Sequence, residues 1–338
     1  MTDYAMLISP AANKVYARAS LGLMQSELSV FNGALLSGRL REIRQVSRQG
    51  LSYLCFAADA LSERDRRALA NLSSVYALFE MQGEWQKPIE LSRWDLFDDD
   101  LLTIQKYAGK TNEHFTKLLM NVTLLSTTFA GELLDRKFAV FDPLCGRGTT
   151  LNQAVMLGFD AAGTEIDGRD FDAYRAFFET WLKNKRIKHH VEVHGRKDRR
   201  LSVVLASTKE RYLAGDTINV AVVNADTARG LEFFRRASFD VVVADAPYGV
   251  QHGARAGGKK LARSPAELLA SALPVWRELL RPGGAVGIAW NALLMSRRDG
   301  EEILARAGFD AFDAGAYLGF EHRVDHAIVR DVLVGQRP

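Results

Sequence analysis

The sequence predicts an α/β protein, with a small amino-terminal α+β unit followed by a larger doubly wound domain built on a mostly parallel sheet. Three observations carry that expectation. Apolar periodicity alternates between strand and helix over residues 1–81, then settles from Thr111 onward into repeated β-α units. A glycine-rich turn, Asp142-Pro143-Leu144-Cys145-Gly146-Arg147-Gly148-Thr149-Thr150, follows an apolar strand at 138–141. The tetrad Asp245-Ala246-Pro247-Tyr248 ends the apolar run 239–244, 103 positions after Asp142. In a parallel sheet both turns lie on the carboxyl edge, where open α/β sheets bind ligands.

In chain order, a strand at 4–9, an amphipathic helix at 16–31, strands at 43–47 and 51–57 around Arg48-Gln49-Gly50, a helix from Ser62 and a strand at 75–81 spell βαββαβ. That is a ferredoxin-like arrangement. Residues 82–102, with Trp85, Pro88, Trp94 and the acidic Asp98-Asp99-Asp100, read as a connector, so the expected division is 1–100 and 101–338. Phe115, Leu118, Leu119, Val122 and Leu125 then fall at helical spacing. Strands are expected at 138–141, 161–165, 219–223, 241–244 and 285–290, and helices at 151–157, 171–182, 228–236, 265–280 and around 301–307. The helix at 265 has a marked start, with Ser264 as N-cap, Pro265 at the first position and Glu267 three residues after the cap. Arg281-Pro282-Gly283-Gly284 is expected to end it, and 314–320 with 327–334 to close the sheet as a pair. Residues 188–206 break the rhythm, because 191–194 and 201–206 bracket Gly195-Arg196-Lys197-Asp198 as an inserted hairpin.

A chain of 338 residues, 47% hydrophobic and 25% charged, suits a globular protein with two cores. No run of about 18 apolar residues occurs, and no basic segment leads into an apolar one at the amino terminus, so the expectation is a cytoplasmic protein without membrane contact. Two cysteines, Cys55 and Cys145, argue against a disulfide framework and against a Cys-based zinc site. The net charge of +3 hides an uneven distribution: residues 183–200 hold eight Lys/Arg against two acids, and 251–263 hold four against none. Such local basic segments suggest a phosphate-facing surface.

In the glycine-rich turn, Gly146 and Gly148 let the backbone approach an anionic or zwitterionic ligand, while Thr149 or Thr150 caps the following helix. The G-x-G-x-x-G spacing of dinucleotide folds is absent. Glu165, 23 residues after Asp142 at the end of the next strand, is placed to accept hydrogen bonds from ribose hydroxyls, with Asp167 as competitor. Asp226 can accept from an adenine amine or cap a helix. At the tetrad, Asp245 can accept from an exocyclic amine, the Ala246 or Pro247 carbonyl can take its second hydrogen, and Tyr248 can stack on a flat ring. An aryl amine is a poor nucleophile because its lone pair is delocalised. Acceptors that favour a pyramidal nitrogen, held in line with a methyl sulfonium, supply the catalysis, and no metal is needed.

These residues resemble a family, the class I S-adenosylmethionine-dependent amino-methyltransferases, and within it the tRNA guanosine-N2 methyltransferases of the THUMP-associated, Asp-Pro-Pro-Tyr type. The resemblance spans roughly residues 105–334. The turn at 142–149 is similar to the family's Asp-Pro-Phe-x-Gly-x-Gly-[Ser/Thr] cofactor loop, and Asp245-Ala246-Pro247-Tyr248-Gly249 to its Asp-Pro-Pro-Tyr-Gly. The segment Tyr107-Ala108-Gly109-Lys110-Thr111-Asn112 is similar to the one that closes over the methionine end of the cofactor. The resemblance implies a Rossmann-like domain with a seven-stranded, mostly parallel sheet. It implies S-adenosylmethionine held by Lys110, Thr111, Asp142, Leu144, Cys145, Gly146, Gly148, Thr149, Thr150, Glu165, Ile166 and Asp226, with catalysis at Asp245, Ala246, Pro247 and Tyr248. Two departures stand out: Ala246 replaces the first proline, and about 100 amino-terminal residues are too few for a ferredoxin-like subdomain plus a full THUMP domain.

Asp at the head of the tetrad resembles the guanosine-N2 enzymes more than the common DNA adenine-N6 or cytosine-N4 enzymes. The expected partner is therefore RNA, tRNA first, with DNA as the alternative; a cofactor-binding RNA module without turnover and a small-molecule enzyme are further readings. Arg196, Lys197, Arg199 and Arg200 in the hairpin, Arg255, Lys259 and Lys260 after the tetrad, and His322 with Arg323 are the candidate phosphate contacts near an extruded base.

Overall fold

The computed structural model describes residues 1–9, 14–83, 85–248 and 264–338, with only the backbone of Lys14. In the amino-terminal part, β1 (Thr2–Ile8), α1 (Lys14–Ala34), β2 (Arg41–Arg48), β3 (Leu51–Ala58), α2 (Glu63–Ala70), β4 (Val75–Gln82) and β5 (Trp85–Ile89) form an antiparallel sheet in the order β2-β3-β1-β4-β5. Strand alternation sends Tyr4, Met6, Leu54, Phe56 and Leu78 into the main core, while Ala5, Tyr53 and Cys55 cluster on the opposite face. Ser62 and Asp65 start α2 with a reciprocal capping box. The first four strands have the split βαβ order. β5 lies in the stretch read as connector, and its Pro88 is tolerated because the strand is an edge.

The larger part contains α3 (Asp100–Thr103), α4 (Glu113–Leu125), β6 (Ala139–Asp142), α5 (Thr149–Met156), β7 (Asp160–Thr164), α6 (Gly168–Asn184), β8 (His189–His194), β9 (Arg200–Leu205), α7 (Lys209–Leu213) and β10 (Ile218–Val223). It continues with α8 (Gly230–Phe233), β11 (Phe239–Asp245), α9 (Pro265–Leu279), β12 (Leu280–Asn291), α10 (Arg297–Arg306), β13 (Asp310–Ala311), β14 (His322–Arg323) and β15 (Val329–Gln336). Among the described residues the sheet has ten strands, ordered β13-β15-β12-β11-β6-β7-β10-β9-β8, with β14 on β15. β12, β11, β6, β7 and β10 are mutually parallel and the outer pairings antiparallel, so the sheet is mixed. The expected count of seven is exceeded by the hairpin β8–β9 and the two-residue β14.

β11 is buried on both faces, Val241 and Val243 on one and Val242 and Ala244 on the other, which is why it reads as an unbroken apolar run. From β6 the chain winds one way to β7 and β10, and from β11 the other way to β12, so the order reverses between β6 and β11. A crevice at the carboxyl ends of those two strands follows from that reversal.

The two parts share one core, and a polar network ties them. Fully buried Glu27 of α1 accepts from Ser73 N (3.0 Å), Ser73 Oγ (2.6 Å) and Asn121 Nδ2 of α4 (2.8 Å). Two local expectations change. β12 starts at Leu280, with Arg281-Pro282-Gly283-Gly284 absorbed into a strand whose register against β11 shifts there. Residues 315–318 form a 3-10 turn, and β15 pairs instead with β12, β13 and β14. Among the described residues no helix is long and apolar enough to cross a membrane.

Candidate active site

Five parallel strands deliver polar side chains to one edge: Asp142 ends β6, Glu165 follows β7, Asp226 follows β10, Asp245 ends β11 and Asn291 ends β12. Gly146 (φ 51°) and Gly148 (φ 82°) occupy left-handed backbone, as the turn requires. Their reasons differ. A Cβ on Gly148 would lie 2.2 Å from the Tyr174 ring, whereas one on Gly146 would meet nothing within 4 Å. Gly146 thus leaves room for a ligand, and Gly148 serves helix packing.

The helix cap is Gly148 itself, without a side-chain bond, so neither threonine caps α5. Thr149 Oγ1 instead meets the Tyr107 hydroxyl at 3.2 Å, and Thr150 hydrogen-bonds Asp142. The uncapped first turn of α5 keeps its N–H groups available to a negatively charged or dipolar ligand. Asp142 is 3% exposed; burial pushes its carboxyl up to about 7, with the charges of Asp245 and Glu165 adding to the rise.

Glu165 is oriented by two backbone donors, Gly146 N and Asp167 N, both at 2.7 Å. Two bonds leave lone pairs over, so it can still accept from hydroxyls. Asp167 caps α6 through Arg169 N (2.7 Å) and, like Asp226, keeps its second oxygen. Ile166 beside it is 49% exposed, an apolar surface next to the acids. Asp226 caps the 3-10 turn at 227–229 through Ala228 N (2.9 Å) and retains its second oxygen. Leu144 N donates to Asp142 Oδ1 (3.0 Å), and Cys145 N to Thr164 O (3.1 Å); burial pushes the Cys145 thiol well up, so Cys145 shapes the turn and is no nucleophile.

At the tetrad, both oxygens of Asp245 are engaged, Oδ2 by the hydroxyl of Thr111 and Oδ1 by that of Tyr248. Ala246 N bonds Ala289 O at 2.9 Å, holding the tetrad on β12. Burial, and then the charge of Asp245, push the Tyr248 phenol well above its ordinary value, so it is a donor. Its ring is not free on both sides, because Arg330 lies over it at 4.8 Å.

Several expected contacts move. Lys110 pairs with Glu113 and the Leu102 carbonyl (2.5 Å), so its ammonium fastens the segment before α4. Thr111 reaches the tetrad. Arg199 pairs with Asp172 (2.7 Å) and Asn224 (3.1 Å), and Arg200 with the Phe233 carbonyl, leaving Arg196 and Lys197 as the exposed cations of the hairpin turn. That turn is not beside the tetrad: β8 is five strand steps from β11, roughly 24 Å at about 4.8 Å per step. His322 is 7% exposed, and burial lowers its ring to about 4, so it is a neutral interior residue and not a phosphate contact. Arg323 is exposed. Gly249, Arg255, Lys259 and Lys260 lie outside the described residues. Asn291 and Arg330 are site-shaping residues that sequence reading missed, whereas Tyr107 lies in the segment already singled out there. The available signal for Arg330 was a charged pair, Arg330-Asp331, inside an apolar strand.

Residues 130–280 match the family model described as UPF0020, RMKL-like, methyltransferase domain. Over that stretch the chain is similar to a methyltransferase domain. The mixed sheet, wound in both directions from β6 and β11, is the class I Rossmann-like form. A search of curated proteins gave no match. Among solved structures, a TehB-like SAM-dependent methyltransferase from Corynebacterium glutamicum is 17% identical over 61% of this chain and 86% of that one, at a TM-score of 0.35. A ribosomal protein L11 methylase from Lactobacillus delbrueckii subsp. bulgaricus is 15% identical over 67% and 80%, at 0.37. The 1,6-didemethyltoxoflavin-N1-methyltransferase of Burkholderia thailandensis, solved with S-adenosylhomocysteine, is 16% identical over 60% and 72%, at 0.36.

The residues along this edge fit S-adenosylmethionine, the cofactor expected from the sequence. The open space at Gly146, the uncapped α5, the oriented Glu165, exposed Ile166 and the half-used Asp226 provide for a zwitterion, a ribose and an adenine in that order along the edge. When bound it supplies an electrophilic methyl group. Buried Asp142 has no cation acting on it among the described residues, and so provides the one acid of the turn that a positive ligand would complete.

Proposed function

We propose that the chain is an N-methyltransferase acting on the exocyclic amine of a nucleobase, guanosine N2 in tRNA or another structured RNA. The observation that carries this reading is Asp245: a carboxylate at the switch point of the sheet, already accepting two hydroxyl hydrogen bonds, one strand from the cofactor turn. An incoming amine takes the place of one of these donors and gives a hydrogen to the carboxylate. That interaction concentrates lone-pair density on nitrogen and fixes its direction, which an in-line displacement requires. Tyr248 offers the ring face opposite Arg330 to the base. The product nitrogen is born positive and sheds its proton toward Asp245.

Arg196 and Lys197 fit an RNA backbone, several nucleotides from the target base because of the distance along the sheet. An amino-terminal ferredoxin-like domain, 1–100, and a catalytic domain, 101–338, in a cytoplasmic protein complete the proposal; the split βαβ order supports the first. Incubation with methyl-labelled cofactor and, in parallel, tRNA and duplex DNA tests the reading. Label entering tRNA, at a rate that falls steeply as salt rises, is the expected result. Label entering DNA alone, or neither, overturns it.

A further inference from the structure

Three polar side chains stand in register across neighbouring strands: Asn291 of β12 faces Arg330 of β15, and Arg330 faces His322 of β14. Cross-strand partners project from the same face of a sheet. The three are 1%, 4% and 7% exposed. Arg330 is the unusual member, because a buried guanidinium normally has a carboxylate beside it. Among the described residues none lies within ion-pair distance, and its Nε has no hydrogen-bond partner.

Two aromatic faces and a hydrogen bond to the Tyr248 hydroxyl hold it instead. The guanidinium lies 4.3 Å from the Phe115 centroid and 4.8 Å from that of Tyr248. Phe115 in turn packs on His322, with centroids 5.2 Å apart. The stack therefore runs from the neutral imidazole through Phe115 and the cation to the phenol whose hydroxyl bonds Asp245. Asn291 fixes the backbone of the same tyrosine, its Nδ2 reaching Tyr248 O at 3.4 Å and Ala327 O at 3.0 Å. Tyr248 is thus held twice, through its carbonyl and through its ring.

We propose that Arg330 is a positioning residue for methyl transfer: it covers one face of Tyr248, turns the phenol hydroxyl onto Asp245, and leaves only the opposite face for the substrate base. This rests on the N-methyltransferase reading. Planarity matters as well as charge, since guanidinium stacks flat on a ring and an ammonium does not. Lysine at 330 would keep the charge and lose the platform. Methionine would keep bulk and lose the charge.

The test uses the full chain carrying Arg330→Lys, Arg330→Met, Tyr248→Phe and the double change Arg330→Lys with Tyr248→Phe. In single turnover on tRNA, Arg330→Lys should slow transfer by about 30-fold while cofactor affinity stays within about twofold, and the loss should shrink to about threefold or less in the Tyr248→Phe background. Equal losses in both backgrounds, or a parallel loss of cofactor affinity, would show a merely structural arginine and overturn the proposal. A substrate-free readout separates this from the underlying reading. With 3-fluorotyrosine placed at 248, the fluorine resonance should be displaced in both Arg330 variants, and an unchanged resonance sinks the proposal. Should the unaltered chain transfer no methyl group, the reading fails while the fluorine result still decides whether Arg330 orients Tyr248.

Discussion

The hydroxyl of Thr111 donates to the carboxylate of Asp245 across 134 positions of sequence. This bond joins the segment before α4 to the end of β11, and the same segment touches the cofactor turn through Tyr107 and Thr149. One strap thus reads both halves of the site.

Breaking the strap at the catalytic end should therefore affect chemistry more than binding. A hydrogen bond to a charged group is worth about 1.5–3 kcal/mol, so Thr111→Val should slow single-turnover methyl transfer by roughly 10- to 100-fold. Cofactor affinity by calorimetry should change little, and Thr111→Ser should restore most of the rate.

Asp142 makes cofactor recognition pH-dependent. Its carboxyl is raised to about 7, so the anion that complements a positive sulfur forms only as pH rises through neutrality. Affinity for S-adenosylmethionine relative to the neutral-sulfur product should grow between pH 6 and 8, on the order of one pH unit either side of that value. Asp142→Asn should flatten the ratio, which paired titrations at several pH values check.

Glu27 predicts an opposite trend for stability. Burial raises its carboxyl from 4.5 to about 7, against the hydrogen bonds from Asn121 and Ser73, which lower it. The folded state then binds the proton more tightly than the unfolded one, so this group's contribution is fully present below pH 4.5 and is lost as pH rises through about 7. The loss is ~3 kcal/mol by the usual 1.4 kcal/mol per unit. Urea midpoints of Glu27→Gln measured from pH 5 to 8 should show a shallower decline than those of the unaltered chain.

The two glycines of the turn should separate folding from binding. Gly148→Ala forces a Cβ into the Tyr174 ring and into left-handed backbone, so it should lower the thermal midpoint strongly. Gly146→Ala meets open space and strains only the backbone, by about 1 kcal/mol, but fills the ligand's approach. It should fold and bind cofactor poorly.

What was legible in the sequence was whatever burial writes locally. β6 and β11 are covered on both faces, so their apolar runs and the turns that end them marked the site directly. Ser264 and Glu267 fixed the start of α9, where both bonds of the capping box are present. β5 stayed hidden because Trp85-Gln86-Lys87-Pro88-Ile89 is a polar edge strand containing proline. His322 and Arg199 looked like surface cations because their burial and pairing come from partners far along the chain: Phe115 and Tyr16 around the first, Asp172 and Asn224 on the second. The engagement of both Asp245 oxygens is likewise a tertiary fact, since the Thr111 donor carries no local sign of its acceptor.

The most direct measurement is single-turnover methyl transfer to tRNA by Asp245→Asn, read beside its cofactor dissociation constant. The amide keeps the shape but loses the carboxylate, so transfer should fall by about a thousandfold or more with cofactor affinity within about threefold. Transfer that continues near the normal rate would contradict the assignment of that carboxylate as the acceptor for the substrate amine.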